Sequence, residues 1–265
     1  MDDPIAIPKR PPWVTQFLVI RALFKREVTT RFGKYRLGFF WMLFEPLLSV
    51  LVIGLIIGAI AERTVPEIPY AFFLLNGFLL LKLFTNPMTT GVTAIRSNKG
   101  LLIYPSVKPL DTLLTRFLFD ILTTGFSFCV FCICAIWMGV RPSLGSLHII
   151  FTAYLVTWLC GCGLGLMFGV ASAYYNELEK VVPVIQRPLL FVSAVLFPLS
   201  VMPGYVREIL LYNPLVHTIE LSRNSMFPLY KVEGVTLVYP ACCAIVVLAV
   251  GLSLFHNNRN NLSHM

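Results

Sequence analysis

Charge is scarce in this chain. Only 13% of its 265 residues are Asp, Glu, Lys or Arg, about half of what the surface of a soluble domain carries, so a water-soluble globular fold is excluded. Acid is the scarcer sign, with 13 Asp and Glu against 21 Lys and Arg. The usual signatures of chemistry are missing as well. There is no G-x-x-x-x-G-K-[ST] phosphate loop, no H-E-x-x-H and no G-x-S-x-G, and His148, His217, His256 and His264 are scattered along the chain. No catalytic set and no metal site is therefore expected. The opening MDDPIAIPKRPP holds acids and prolines but no apolar h-region, so no cleavable signal peptide is expected.

What is present is apolar: 57% of the residues are hydrophobic, gathered into runs long enough to cross a bilayer. A net charge of +8 would suit nucleic acid, but the cations stand at the ends of the apolar runs, where they act as topology signals. No nucleic-acid partner is expected. Cys129, Cys132, Cys134, Cys160, Cys162, Cys242 and Cys243 all fall inside apolar runs with no His or acid at ligand spacing, and read as small packing residues.

The layout follows from Lys34–Pro46, KYRLGFFWMLFEP, where a basic N-terminus turns into a long apolar helix. Residues 1–33 form a cytoplasmic segment. From Trp13, apolar residues recur at Phe17, Ile20, Phe24 and Val28, one helical stripe that Arg21, Lys25 and Arg26 avoid. This predicts a helix lying on the membrane surface or packed on a partner domain, readings that are compatible, with Gly33 ending it. Residues 34–265 read as one all-α transmembrane domain with six spans, about 37–60, 70–92, 117–140, 147–174, 181–199 and 234–255. The first is long enough for about 36 Å of helix, more than the roughly 30 Å of hydrocarbon.

Two charges lie within the spans. Glu45 precedes Pro46 in the first, and Lys82 stands about 18 Å along the second at 1.5 Å per residue. Each has to pair, snorkel or meet water, and the two together could form a pair. The fourth span carries Gly161, Gly163, Gly165 and Gly169, and its G-x-x-x-G spacings allow close helix approach, within the subunit or at a dimer seam. Residues 204–228 hold two short amphipathic pieces split by Asn213-Pro214, each too short to cross, and read as re-entrant outer-leaflet helices. Of the 21 Lys and Arg, this layout places fifteen on the cytoplasmic side, five outside and Lys82 in the membrane, which puts both termini in the cytoplasm.

Two segments stand out functionally. Arg31, Lys34 and Arg36, followed by Phe39, Phe40, Trp41 and Phe44, bring cations and aromatics to one membrane boundary. They serve first as topology signals and interfacial anchors, and they could also receive an anionic group and begin the wall of a substrate path. In the polar stretch 96–116, the apolar centre Gly100, Leu101, Leu102, Ile103, Tyr104, Pro105 and Ser106 suggests a docking site at the membrane surface. A membrane-embedded transferase would need paired acids, for which only Glu45, Glu177 and Glu179 offer themselves. An ion-coupled carrier would need buried carboxylates, for which only Glu45 does.

The basic amphipathic N-terminus, the Lys34–Pro46 entrance to the first span, the 96–116 loop, the six spans and the Phe197–Leu215 stretch, F-P-L-S-x-x-P ending in NPL, resemble the permease subunit of polysaccharide-exporting ABC transporters, nearest to inner-membrane capsular polysaccharide export proteins. Where many such permeases carry an Arg-Asp pair after the fourth span, this chain has Tyr175-Asn176-Glu177. The resemblance implies a homodimer served by two copies of a separate cytoplasmic ATPase, which would bind the ATP and Mg. It implies a lipid-linked acidic polysaccharide as cargo and, as further partners, periplasmic and outer-membrane export proteins. The 100–106 segment would be the coupling helix. A permease of the same class for O-antigen, teichoic acid or a lipid is the alternative.

Overall fold

The computed structural model describes residues 11–32, 38–61, 69–97, 108–140, 142–143 and 146–263. Among them no strand occurs. The helices are α1 (Pro12–Phe32), α2 (Gly38–Ala61), α3 (Tyr70–Ser97), α4 (Pro109–Trp137), α5 (Leu147–Tyr174), α6 (Leu178–Val192), α7 (Gly204–Leu210), α8 (Pro214–Met226) and α9 (Val238–Ser263), with one 3-10 turn at Leu199–Val201. Among the described residues four stretches, Tyr70–Ala94, Pro109–Trp137, Leu147–Tyr174 and Val238–Asn258, are long and apolar enough to cross a membrane.

Several helix ends differ from the sequence reading for identifiable reasons. α4 begins at Pro109 rather than near Phe117, because proline suits the first helical position and the Asp111 carboxylate accepts from the Lys108 N–H at 3.0 Å. α6 stops at Val192, short of Leu199: the chain unwinds through Ser193, and Ala194 takes a positive φ of 53°. The break at Asn213-Pro214 falls where expected, with the Asn213 side chain accepting from the Leu215 N–H at 3.0 Å and Pro214 opening α8.

α5 is the axis of the bundle, lying between α3 and α9. Every fourth glycine faces α3: a β-carbon at Gly161 would sit 2.7 Å from the Phe84 carbonyl oxygen, and one at Gly165 would overlap the Pro87 carbonyl. On α3, a β-carbon at Gly91 would in turn run into the Gly165 carbonyl. Gly163 points the other way, 2.7 Å in the same sense from the Leu248 amide nitrogen of α9. The glycine spacings thus close backbone against backbone inside the subunit. All seven cysteines are free thiols.

Candidate functional site

At the charged end of the bundle, α1 lies along α4 through a mixed polar and aromatic face. Gln16 bonds the Asp111 carboxylate, Phe24 meets Phe119 with ring centroids 5.8 Å apart, and Glu27 pairs with Arg116 at 3.4 Å. Arg31 is held by Glu27 at 2.8 Å and approaches Asp120 at 3.6 Å, its guanidinium 4.7 Å from the Phe119 ring centroid. The other end of the sequence stripe is open, with Trp13 74% and Phe17 63% exposed. Asp120 is almost fully buried, with Thr90 donating to it at 3.5 Å.

Of the cations and aromatics singled out at the first membrane boundary, Arg31 is therefore already engaged by two carboxylates. Phe40 and Phe44 stack in the first turns of α2, centroids 5.4 Å apart. Phe39 and Trp41 belong to the same turns, their side chains outside the described set, and Lys34 and Arg36 lie outside the described residues, as do Gly100–Ser106. The last helix before that segment is nonetheless tied to the first after it: Arg116 of α4 donates to the Ser97 hydroxyl of α3 at 2.8 Å. Farther along the bundle, Glu45 and Lys82 form an ion pair at 2.8 Å between α2 and α3.

At the opposite end the organising residue is Arg223 of α8, one of the five cations that the sequence layout places outside. It is wholly buried. Nη1 donates to the Ala194 carbonyl at 2.7 Å and to Glu220 at 2.8 Å, and Nη2 donates to the Val195 carbonyl at 2.9 Å. The second Glu220 oxygen accepts from the Tyr230 hydroxyl at 2.6 Å. Tyr70 donates to the Leu196 carbonyl at 2.9 Å and Asn213 to the Val192 carbonyl at 3.1 Å. These side chains satisfy backbone carbonyls that the non-helical stretch after α6 leaves without helical partners. A second knot binds α8 inward, Tyr154 and Ser222 both bonding Asn76, at 3.0 and 3.1 Å.

Asp120 and Glu220, both buried, correct the expectation that Glu45 was the only candidate for a buried carboxylate. Both were legible in principle: Asp120 as an acid inside an apolar span, and Glu220 with Arg223 as opposite charges three residues apart on one helix face. Each is already matched by a cation, so neither stands as a free ion-coupling site.

The chain matches the ABC-2 type transporter family over residues 19–227, and it belongs to that family. Over 249 residues it is 38% identical to the polysialic acid transport protein KpsM of Escherichia coli, covering 92% of this chain and 95% of that one. It is 27% identical to the capsule polysaccharide export inner-membrane protein CtrC of Neisseria meningitidis, covering 89% of each chain. It is 24% identical to the capsule polysaccharide export inner-membrane protein BexB of Haemophilus influenzae, covering 90% of each.

Proposed function

We propose that this chain is the permease subunit of an ATP-driven exporter that carries a lipid-linked acidic polysaccharide of the capsule class across the bacterial inner membrane. The observation that carries this reading is the similarity, over about nine-tenths of the chain, to polysialic acid transport and capsule export proteins. With no phosphate loop in the sequence, hydrolysis is assigned to a separate cytoplasmic ATPase, two copies of which serve a homodimer. Gly100–Ser106 is its docking segment, and Arg31, Lys34, Arg36 and the aromatics that follow form the cytoplasmic mouth. Removing the chain from its host should abolish surface polymer and leave polymer inside the cell, and the tagged chain should co-purify an ATPase. Replacing Leu102 and Tyr104 by Asp should break that association, because the contact would desolvate the carboxylates. Unchanged surface polymer in the deletion strain would sink the reading.

The topology that goes with it has six spans, α2 to α5, α6 with the unwound residues after it, and α9, with α7 and α8 dipping into the outer leaflet and both termini inside. The cation asymmetry and the internally satisfied backbone after α6 support it. A single cysteine at Ser263, in a version lacking the native cysteines, should resist a membrane-impermeant thiol reagent in intact cells. Labelling there refutes the topology.

A further inference from the structure

α3 carries a polar line on the side turned away from the bundle core. Lys82, Thr85, Asn86, Thr89 and Thr93 are all partly exposed, whereas Leu83, Phe84, Pro87, Met88, Thr90 and Val92 among them are buried. Steps of three and four place the five on one stripe, which ends at the exposed Ser97 about 22 Å away along the axis. The Thr85 and Thr93 hydroxyls donate back to the Leu81 and Thr89 carbonyls at 2.9 and 3.2 Å, so their protons are satisfied and their oxygens remain acceptors. From α6, Gln186 reaches the same line, its Nε2 donating to the Thr85 carbonyl at 2.9 Å and to the Thr89 hydroxyl at 3.0 Å.

At the deep end of the stripe stands the Lys82–Glu45 pair, with Lys82 25% and Glu45 59% exposed. A carboxylate open over more than half its surface inside a span cannot face hydrocarbon at tolerable cost, and the row of hydroxyls and amides beside it continues the same face with polar atoms. Water, a polar cargo or the second subunit of the homodimer has to cover it, and of these water and cargo suit a face lined with acceptors along about 22 Å of helix.

We propose that the stripe from Ser97 to Lys82, with Gln186 and Glu45, is a hydrated track for the polymer, and that the Lys82–Glu45 pair is its anion-exchange station. A carboxylate of the passing polymer takes the place of Glu45 on Lys82 and is released when Glu45 returns. Hydroxyl and amide oxygens along the stripe accept hydrogen bonds from sugar hydroxyls. The built-in competitor answers the general demand of a conducting path, that a site bind well enough to admit its cargo and weakly enough to release it. This inference rests on the acidic-polysaccharide reading above.

The test uses the full chain in its host, and the deletion strain separates the two claims. If deletion leaves surface polymer intact, the polysaccharide reading fails before the station is addressed. If deletion abolishes it, Lys82→Gln should reduce surface polymer about tenfold or more, the weight of a charge-assisted hydrogen bond, with chain abundance and ATPase co-purification unchanged. Lys82→Arg should recover most of the loss. The exchanged pair, Glu45→Lys with Lys82→Glu, should remain defective, because a carboxylate on α3 would repel the polymer. Glu45→Gln removes the competitor and should increase the polymer that co-purifies with the permease, which keeps the question decidable if the exchanged pair fails to accumulate. Normal surface polymer from Lys82→Gln, recovery by the exchanged pair, or no added retention in Glu45→Gln would each overturn the station and leave an ordinary structural ion pair.

Discussion

The guanidinium carbon of Arg223 lies 3.4 Å from the centroid of the Phe73 ring, and Nη2 of the same group donates to the carbonyl of Phe73 at 3.2 Å. One side chain of α8 thus grips one residue of α3 by both face and backbone, while its other donors hold the chain that leaves α6. Gly77 makes room for it, since a β-carbon there would stand 2.6 Å from Nη2.

Arg223→Leu should be the most damaging single change at this end. It leaves the fully buried Glu220 without its cation and strands three carbonyls, a loss of about 3–5 kcal/mol. Glu220→Gln should cost less, because Arg223 keeps its carbonyl partners. Thermal unfolding of the detergent-purified variants checks the order, and equal midpoints for the two would contradict it.

Gly91→Ala and Gly125→Ala form a matched pair. The first forces a methyl into the Gly165 backbone, whereas the second opens into space with nothing within 4 Å. Gly91→Ala should lose about 1–3 kcal/mol by overpacking, and Gly125→Ala should behave as wild type in the same unfolding assay.

Arg31 has two possible duties that genetics can separate. If it mainly neutralises Asp120, Arg31→Ala leaves a buried carboxylate short of a partner, costing about 1–3 kcal/mol, and Asp120→Asn should restore both stability and export. If it receives cargo together with Lys34 and Arg36, Asp120→Asn should restore stability alone, and the triple change to Ala should still retain polymer inside the cell. Measuring chain abundance and surface polymer in the same strains distinguishes the two.

The long apolar runs made the all-helical fold legible, because span length acts through the bilayer and needs no tertiary knowledge. Leu147–Tyr174 has the expected bounds, and the break at Asn213-Pro214 follows from local backbone chemistry. The end of α6 was not legible in the same way. Its unwinding depends on Arg223 and Tyr70, about 30 and 120 residues away along the chain, and no local pattern announces such partners. Arg223 itself was misread because a positive residue near a membrane boundary looks the same in sequence whether it faces water or replaces it. The Lys82–Glu45 pair was open to reading as one of two options, since both charges are conspicuous against an apolar background. The polar line below Lys82 was hidden, because threonines scattered through a span acquire a common direction only once the buried side is known.

The backbone contacts of α5 with α3 and α9 set a mechanical limit. Where a carbonyl rests against a glycine, no layer of side chains remains to change rotamer, so the helices cannot tilt or slide past one another without collision. The three form a stator. Any opening stroke has to be taken up where side chains still separate the helices, as they do between α3 and its neighbours α2, α4 and α6.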